Sequence, residues 1–410
     1  MLAIQRLTGI RLASRAALQS RGFRSTARIA EELRKTGLYE FHIQNGAKMV
    51  PFAGYSMPLS YGNIGAVASH HHVRNSAGLF DVGHMVQSNF LGETATEFLE
   101  WLTPSSLSSL PPYTSTLSVL LNPTGGIIDD TIITKHSPTA FYVVTNAGRR
   151  DRDLPWFRQK LDEWNASDTL RGGKGKVELE VLEDWGLLAL QGPEAANILQ
   201  GLTAFDLREL TFGRSAFVPI EGFNVHVARG GYTGEDGFEI SIPPNQTLEF
   251  TKLLLRAPVQ LTGLGARDSL RLEAGMCLYG HDLNEDITPV EAGLSWVIGK
   301  DRRGSGNSNF IGSSKVLEQL KKDVGPPRRR IGLIVEGAPA REGAPILSSS
   351  SSDGDGGEEN IGTVTSGIPS PTLGKNIAMG YVRSGFHKKG TELAVEVGMW
   401  VDFGLLIIRT

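Results

Sequence analysis

Apolar positions recur with two different periods along the first 300 residues, which predicts a mixture of short strands and short helices. Runs rich in β-branched residues predict three successive strands, at Thr114–Leu121, Ile127–Thr134 and Ala140–Asn146. The polar segment Arg149–Trp164 follows them. Its apolar residues fall at helical spacing, which predicts an amphipathic helix.

The order of two strands and one helix recurs further along the chain. Strands are predicted at Val177–Leu182 and Gly186–Leu190, and Pro193 opens a helix that ends near Gly201. The next predicted elements are the strands Ser215–Arg229 and Gly237–Ile242 and a helix from the cap Asn245 to Arg256. This recurrence predicts an α+β fold with two related halves that share a site.

A third unit is expected beyond residue 327. Residues 301–327 are rich in Arg, Gly, Ser and Lys around one short helix, Ser313–Lys322, and are predicted to form a linker. From Arg328 to residue 410, strand and turn patterns without a helix predict a small β-barrel or sandwich. Within it, residues 348–360 hold five serines followed by Asp, Gly and Glu, a composition typical of a disordered loop.

The N-terminal 30 residues differ from the rest of the chain. They contain six arginines and neither Asp nor Glu, with leucine and isoleucine interspersed. This composition predicts a mitochondrial transit peptide over residues 1–30, because a secretory signal would need a continuous apolar stretch. A disordered basic tail is the alternative. Residues 31–300 then form the body of two α+β domains.

The overall composition excludes several classes of protein. The 410 residues are 40% hydrophobic and 21% charged with a net charge of −3, as in soluble globular proteins of two or three domains. No basic excess indicates nucleic acid, and no apolar run approaches the roughly 18 residues of a membrane span. Neither is therefore expected as a partner. The single cysteine, Cys277, excludes internal disulfides and fits a reducing compartment.

One predicted strand carries two adjacent carboxylates. Gly125 and Gly126 predict a tight turn, and the strand after it contains Asp129 and Asp130. Because side chains alternate along a strand, the two are expected on opposite faces, both largely apolar. A carboxylate on such a face must find a donor, or its pKa rises. At least one is therefore either paired structurally or directed into a functional cleft.

Two further charged residues are candidates for binding. Glu235 lies at the exposed tip of a glycine-rich turn, where a carboxylate could accept the two adjacent N–H donors of a 2-amino-pyrimidinone ring. A polar hairpin turn is the alternative. Arg267 lies in the first turn of a short helix, where the macrodipole favours an anion. It is therefore either a ligand-binding residue or part of a surface ion pair, whereas Arg271 is expected to pair structurally with Asp268.

The histidines do not predict a metal site. His70, His71 and His72 are consecutive, so they do not share one helix face, and no Cys or acidic residue stands at ligand spacing. His84 is either an acid–base group or, in the favoured interpretation, a buried hydrogen-bonded structural residue. Cys277 has no evident base partner and is interpreted as a packing residue.

Ten segments between about Leu38 and Val397 carry a family resemblance. They are Phe52–Met57, Leu79–Met85, Gly125–Asp130, Tyr142–Gly148, Leu188–Pro193, Gly231–Gly237, Ala266–Gly280, Thr288–Trp296, Gly362–Gly367 and Asn376–Tyr381. Together they closely resemble the aminomethyltransferase family, the T-proteins of the mitochondrial glycine cleavage system.

The resemblance implies a fold, a reaction and partners. The fold would be a three-domain cloverleaf around a central folate site, with two α+β domains and a C-terminal β-barrel. The reaction would move the methylene carbon of an S-aminomethyl-dihydrolipoyl H-protein to tetrahydrofolate, giving 5,10-methylenetetrahydrofolate, ammonia and dihydrolipoyl H-protein. Tetrahydrofolate would be the co-substrate, with no metal. The lipoylated H-protein and other glycine cleavage components would be partners in the mitochondrial matrix.

The resemblance also implies roles for individual residues. It places the essential acid at Asp130, which would hold the folate N5/N10 region and help remove a proton as N5 attacks the methylene carbon. Glu235 falls where the family binds the pterin edge, and Arg267 where it contacts folate. The positions implied to line the pocket are Met85, Asn146, Tyr232 and Trp296.

The chain departs from the family at two places. Gly83 stands where serine is expected, a change that would loosen that turn. Residues 398–410 replace the family's basic strand and a closing strand that ends in paired tyrosines. A tyrosine in that tail serves the family's folate site, so no residue here inherits its role. Gly-Met-Trp at 398–400 can be encoded by a splice-donor sequence, and the tail is hypothesised to be translated intron.

Two rival families differ from this chain in specific features. The folate-binding half of a sarcosine or dimethylglycine dehydrogenase needs an upstream flavin domain, for which this chain has neither the length nor the dinucleotide fingerprint. A folate-binding iron–sulfur assembly factor without transferase activity would carry Lys-Gly-Cys-Tyr-x-Gly-Gln-Glu, where this chain reads Ala274–Gly280. The basic segments Lys300–Arg303 and Arg328–Arg330 could meet an acidic carrier protein or be solvated linker charges.

Overall fold

The elements of the fold are given by a computed structural model that describes residues 32–256, 258–304, 306–348, 359–397 and 400–405. The predicted transit peptide and most of the predicted loop at 348–360 lie outside the described residues. The strands are β1 (Ala47–Phe52), β2 (Tyr55–Tyr61), β3 (Gly78–Asp81), β4 (Val86–Gly92), β5 (Thr114–Leu121), β6 (Ile127–Ser137), β7 (Ala140–Thr145), β8 (Val177–Val181), β9 (Gly186–Gln191), β10 (Ser215–Ile220), β11 (Phe223–Arg229), β12 (Gly237–Ile242), β13 (Gln260–Leu261), β14 (Arg328–Val335), β15 (Pro345–Ser348), β16 (Asn360–Ser370), β17 (Lys375–Arg383), β18 (Glu392–Val397) and β19 (Trp400–Leu405).

Helices connect many of these strands. The α-helices are α1 (Tyr39–Gln44), α2 (Ala66–Asn75), α3 (Ala95–Leu102), α4 (Arg150–Ala166), α5 (Asp168–Arg171), α6 (Ala195–Gln200), α7 (Thr247–Leu254), α8 (Leu264–Glu273) and α9 (Ser313–Leu320). Single turns of 3-10 helix lie at Ala147–Arg149, Leu207–Glu209, Ser295–Val297 and Lys300–Arg302. Among the described residues, no helix is long and apolar enough to cross a membrane.

The middle of the chain forms a five-stranded antiparallel sheet with the order β5-β6-β7-β4-β8. Helices α3 and α4 cover one of its faces and bury an aromatic core. The ring of Phe90 packs edge-on against Phe157 at 5.2 Å, and Phe98 packs against Trp164 at 5.8 Å. Burial of such rings contributes most of the stabilisation of this layer.

A second, six-stranded sheet has the order β10-β11-β12-β9-β3-β13. Its core is formed by apolar residues of β9 to β12 packed against α6 and α7. Strand β3 pairs with β9, although all five strands of the five-stranded sheet lie between them in the sequence. The strands of the five-stranded sheet are therefore inserted, along the chain, between two paired strands of the six-stranded sheet. The repeated pattern had suggested instead that the two α+β layers follow each other along the chain.

Two local predictions in this sheet were wrong. The segment Ser215–Arg229 is a hairpin of two strands, because Glu221 (φ 45°) and Gly222 (φ 88°) both adopt positive φ in a two-residue turn. The following helix begins at Thr247, after the N-cap residue Gln246, and it ends at Leu254. Asn245 is therefore not its cap.

The C-terminal strands close into a barrel with the order β14-β17-β16-β15-β18-β19. Alternate side chains of these strands fill its interior. The backbone of β19 pairs with both β18 and β14, so part of the unusual tail supplies the closing strand. The α+β architecture with a C-terminal barrel is confirmed.

The helix α8 contacts both the barrel and the rest of the fold. Arg271 is buried and donates from its Nη1 to Asp282 at 2.7 Å and from its Nη2 to Ser366 of the barrel at 3.0 Å. Its Nε also donates to Asp268 at 2.9 Å, which confirms the predicted structural pair. His70 of α2 hydrogen-bonds Ser269 of the same helix at 2.7 Å, as a structural residue would.

Several arginines of the two basic segments are bound within the fold. Arg302 is buried and donates to the carbonyl oxygen of Glu100 at 2.6 Å. Arg328 donates to Glu291 at 2.8 Å, and Arg330 donates to the carbonyl oxygen of Ala292 at 2.7 Å. Arg302 is therefore structural, whereas Arg328 is still 41% exposed, and a contact of these segments with a carrier stays a prediction.

Candidate functional site

The turn before β6 is fixed by backbone geometry. The Asn122 Oδ1 accepts hydrogen bonds from the backbone N–H groups of Thr124 and Gly126, each at 3.0 Å. Gly125 has a positive φ of 85°, which glycine adopts without strain. At Gly126 a Cβ atom would stand 1.7 Å from the carbonyl oxygen of Glu285. The two glycines therefore allow the chain to enter β6 in close contact with the loop around Glu285.

A β-bulge at Ile128 modifies the alternation that was predicted for this strand. Leu120 pairs with Asp129 and Leu121 with Ile127, so that Ile128 has no partner on β5. Its side chain joins Ile133 in the core under α4, whereas simple alternation placed the two on opposite faces, and Ile127 lies in a different core cluster. The carbonyl oxygen of Ile128 is satisfied outside the sheet, because it accepts a hydrogen bond from Arg149 Nε at 2.9 Å.

The bulge leaves the two carboxylates in different environments. Asp129 is 0% exposed and lies under helix α4, whereas Asp130 is partly exposed on the opposite side of the sheet. Asn146 contacts both: its Nδ2 donates to Asp129 Oδ1 at 2.9 Å and to Asp130 Oδ1 at 2.8 Å, and its backbone N–H donates to Asp129 Oδ2 at 2.8 Å. One carboxylate is thus paired structurally and the other is available for chemistry.

Burial controls the ionisation of this group. It raises the pKa of Asp130 to about 6, and the hydrogen bond from Asn146 partly opposes that rise. Burial raises the pKa of Asp129 well above its ordinary range, with further contributions from the nearby charges of Asp153 and Asp130. Asp130 is therefore a carboxylate at neutral pH, with a basicity suited to accepting a proton.

Arg267 and Tyr232 form the opposite side of the candidate site. The guanidinium of Arg267 stacks on the Tyr232 ring at 4.8 Å from its centroid, and the Tyr232 hydroxyl donates to the carbonyl oxygen of Cys277. Tyr232 lies close enough to Asp130 for that charge to raise the pKa of its phenol, although burial is the larger cause. The structure thus brings together four of the predicted residues, namely Asp130, Asn146, Tyr232 and Arg267.

Arg267 lacks a close carboxylate partner. Among the described residues none places a carboxylate oxygen within 4.0 Å of its guanidinium, and no hydrogen bond from it is formed. Burial lowers its pKa, and the charges of Tyr232 and Glu239 act in the opposite direction. A partly buried cation without a partner leaves donors for an acceptor group of a ligand. The ion-pair alternative for Arg267 is therefore not supported by its contacts.

Glu239 is a site residue that sequence reasoning missed. It lies on β12, where burial raises its pKa and the charge of Arg267 lowers it. Within the described part of the chain, its carboxylate accepts no hydrogen bond from another side chain or backbone group. The signal was present in the sequence, because Glu239 is the one charged residue in the apolar strand Gly237–Ile242. Asp129 and Asp130 carry the same signal in their strand.

The other predicted site residues have different surroundings. Glu235 is partly buried and accepts a hydrogen bond from Arg74 Nη1 at 2.9 Å, and so belongs to an ion pair. Met85 packs against the core cluster that contains Tyr142 and also lines a cavity of about 30 Å³. Trp296 is 61% exposed on a 3-10 turn. Their roles at a folate site stay predictions.

His84 and Gly83 also depart from expectation. His84 is buried, as favoured, but its Nδ1 has no hydrogen-bond partner among the described residues. Its ring packs edge-on against Phe52 at 5.6 Å. Burial lowers the pKa of His84 to about 4, so it is neutral at physiological pH. Gly83 donates its N–H to Asp81 Oδ1 at 2.8 Å, which holds the turn that was expected to loosen.

Comparison with known proteins places these residues in a family context. The family model for the GCVT N-terminal domain matches residues 38–302, and the model for the glycine cleavage T-protein C-terminal barrel domain matches residues 328–403. A relative from Schizosaccharomyces pombe, named probable aminomethyltransferase, mitochondrial, is 48% identical over 91% of this chain and 91% of its own length. The mitochondrial aminomethyltransferase of Mesembryanthemum crystallinum is 47% identical over 89% of this chain and 86% of its own.

A solved structure agrees with these relatives. The crystal structure of the glycine cleavage system aminomethyltransferase T from Bartonella henselae superposes with a TM-score of 0.81 at 36% sequence identity. The superposition covers 92% of this chain and 97% of that protein.

Proposed function

The chain belongs to the aminomethyltransferase family, the T-proteins of the glycine cleavage system, and from this premise we propose that Asp130 is the centre of its reaction. The family assignment makes the chain a folate-dependent transferase and disfavours the iron–sulfur assembly factor as the alternative. The relatives are named as mitochondrial proteins, so the chain is assigned to the mitochondrion, and we propose the matrix as its site of action.

The proposed substrates are tetrahydrofolate and the S-aminomethyl-dihydrolipoyl arm of the H-protein. Two bonds form, from folate N5 and N10 to the methylene carbon, and two bonds break, from that carbon to nitrogen and to sulfur. The protons lost by N5 and N10 balance those gained by the leaving ammonia and by the lipoyl thiol. No metal or oxidant is needed for this balance.

Asp130 carries the proposal because of one observation: it is a partly exposed carboxylate that Asn146 holds in place and burial makes more basic than usual. We infer that it orients the N5/N10 region of folate and accepts a proton as N5 attacks. Positioning contributes most of the rate enhancement, because two aligned reactants in a water-poor site need little further activation.

Arg267, Tyr232 and Glu239 supply the proposed binding groups for folate. The unpaired guanidinium of Arg267 can donate to a carbonyl or carboxylate oxygen, and Glu239 can accept two parallel N–H donors from a pterin edge. Glu235 is the position that the family resemblance favoured for the pterin edge, and its ion pair with Arg74 occupies one of its oxygens. Both glutamates are therefore tested separately.

The testing experiment uses residues 29–410 and measures tetrahydrofolate-dependent release of ammonia from aminomethylated H-protein. Asp130→Asn is expected to lower turnover by roughly 10²- to 10⁴-fold, the usual contribution of one general base, while folate binding remains within about threefold. Unchanged turnover in this variant would refute the assignment of Asp130.

The unusual C-terminal tail provides a second arm of the experiment. A chain with a family-like tail after Val397 is assayed beside the natural one. Activity in both shows that the family's tail tyrosine is dispensable. Activity only with the replaced tail assigns the defect to residues 398–410, and activity in neither would disprove the proposed reaction.

A further inference from the structure

Asp153 is a buried carboxyl group that the proposed reaction does not use. It lies in the first turn of α4, is 0% exposed, and neither of its oxygens has a hydrogen-bond partner among the described residues. It faces Asp129, which is equally buried, and the hydroxyl of Thr145, which also lacks a partner. Such unsatisfied polar groups between a sheet and a helix are costly.

The neighbouring cations are committed elsewhere. Arg149 Nη2 donates to Glu285 Oε1 at 2.5 Å, and Arg152 Nε donates to the same oxygen at 3.1 Å. Both arginines influence Asp153 only through their charge, without contact. Asp130 on β6 adds further negative charge near the pair, and the phenol of Tyr279 also lies close enough for the charges of both acids to raise its pKa. Two adjacent buried carboxylates therefore have no cation between them.

A single proton would give hydrogen-bond partners to the side chains of Asp153, Asp129 and Thr145. Asp129 already accepts hydrogen bonds at both oxygens from Asn146, so it behaves as a carboxylate. If Asp153 carries the proton, its hydroxyl donates to Asp129 and its second oxygen accepts from the hydroxyl of Thr145. The side-chain oxygens of Asp153, Asp129 and Thr145 then all have partners.

We propose that Asp153 and Asp129 share one proton, carried by Asp153, and that this pair is the support that holds Asn146 and, through it, Asp130 in position. Asp153 is in this sense a positioning residue, and the inference rests on the proposed role of Asp130. Without the proton, repulsion between the two carboxylates would displace Asp129 and with it both hydrogen bonds to the side chain and backbone of Asn146.

The ionisation of the pair agrees with one retained proton, because burial raises the pKa of Asp153 to about 7 and burial together with Asp153 raises the pKa of Asp129 well above its ordinary range. The hydrogen bonds that Asn146 donates to both oxygens of Asp129 are what place this proton on Asp153. In the unfolded chain both acids would titrate near pH 4, at about 3.9. The stability that the shared proton contributes is therefore fully present below about pH 4 and is lost as the pH rises through the raised pKa of the folded pair.

Two substitutions of Asp153 separate this role from simple packing. Asp153→Ala leaves Asp129 as a lone buried charge and is expected to lower kcat roughly 100-fold, the size of effect that misplacing a catalytic group produces. Asp153→Asn still donates to Asp129 without needing a proton, so it should recover most of that loss. Asp162→Asn, an exposed position in the same helix, is the matched control and should leave both activity and stability unchanged.

Two physical readouts decide the proposal independently of catalysis. The unfolding temperature of the natural chain should fall between roughly pH 4 and pH 7, the unfolded and folded pKa values of Asp153, and Asp153→Asn should lose a large part of that slope. Infrared spectra with labelled aspartate should show one protonated carboxyl group in the natural chain at neutral pH, which Asp153→Asn removes. The Asp162→Asn control should keep both features.

The outcomes distinguish failure of this inference from failure of the proposed function. Equal pH slopes in the natural chain and Asp153→Asn, or a protonated carboxyl band that survives Asp153→Asn, overturn the shared proton even if Asp130→Asn abolishes turnover. If Asp130→Asn stays active, the proposed function fails while the band and the slope still report on the pair. If Asp153→Ala does not fold, Asp153→Asn and the infrared band remain decisive.

Discussion

Asn146 gives a single amide group to two adjacent carboxylates, and its hydrogen bond to Asp130 partly opposes the effect of burial on that acid. The hydrogen bond at 2.8 Å to Asp130 stabilises its ionised form, while burial opposes it. Because burial is the larger cause, the acid titrates near pH 6 and is a better proton acceptor than an exposed aspartate.

A pH dependence of turnover follows from this titration. Asp130 must be ionised to accept a proton, so kcat is expected to fall as the pH drops through about 6. A pH–rate profile of ammonia release under saturating folate measures the effect. The acid limb should be absent from the residual activity of Asp130→Asn, and its persistence there would assign the titration to another group.

The two candidate glutamates, Glu235 and Glu239, are expected to respond differently to neutralisation. Glu239→Gln removes a charged acceptor and should raise the KM for tetrahydrofolate by roughly tenfold or more, since hydrogen bonds to charged groups contribute about 1.5–3 kcal/mol. Glu235→Gln should have a smaller effect, because Arg74 already binds one of its oxygens. Steady-state kinetics with varied folate compares the two variants. A larger change in Glu235→Gln would restore the assignment suggested by the resemblance.

Residue patterns predicted part of this site. Two acids in one apolar strand were enough to expect one structural and one functional carboxylate. The pattern of strand Ile127–Ser137 did not reveal which acid is structural and which is functional, because the bulge at Ile128 changes the face of the sheet on which the side chains lie. Arg267 was found because a cation in the first turn of a helix is unusual. Asp153 gave no signal, since acidic residues are common in a first helical turn, and only the tertiary contact with Asp129 distinguishes it.

Strands and helices with a clear period were predicted closely. Strand β5 has the predicted bounds, and α4 lies within two residues of its predicted ends. Errors occurred where turn conformation decides the outcome. Glu221 adopts a positive φ that a non-glycine residue seldom takes, and so the turn within Ser215–Arg229 was not expected. Helix ends are likewise fixed by local contacts that a pattern of apolar residues does not contain.

The turn before β6 gives a prediction about stability. In Gly126→Ala the new methyl group would overlap the carbonyl oxygen of Glu285, so the loop or the bulge must move. A destabilisation of about 1–3 kcal/mol is expected, measured by chemical denaturation. Gly37→Ala is the control, because nothing lies within 4 Å of a Cβ atom there. Equal stability of the two variants would show that the loop adjusts freely.

The links between the barrel and the rest of the fold depend on a buried ion pair. Arg271→Met would leave Asp282 buried without its guanidinium partner, which typically costs about 3–5 kcal/mol. The unfolding free energy measures the loss. Arg208→Met, which breaks an exposed pair with Asp206, is the control and should leave stability unchanged. A similar stability in both variants would mean that water or a shifted side chain compensates Asp282.

The tail completes the barrel whatever its origin. A chain that ends at Val397 lacks β19, so β14 and β18 each present an unpaired edge, and such edges promote association between chains. Lower thermal stability and aggregation are expected, as measured by light scattering during heating. A chain that ends at Leu405 keeps the strand and should behave as the full chain does. Identical behaviour of the two truncations would make the strand dispensable.

Local sequence patterns could not predict the nested arrangement of the two sheets. Each strand was recognisable by itself, but the pairing of β3 with β9 joins residues on either side of the five-stranded sheet. Such a pairing depends on tertiary complementarity and leaves no periodic signal in either strand.

This nesting has a consequence for how the protein is made. A chain that emerges from the ribosome or crosses a membrane from its N-terminus delivers β3 long before β9 and β13, its two partners in the sheet. The four residues Gly78–Asp81, all buried in the final fold, must therefore remain unpaired while the inserted sheet assembles first. Contacts so distant in sequence form slowly and leave apolar surface accessible in the interval. We therefore expect the completion of the six-stranded sheet to be a slow step in the folding of this protein.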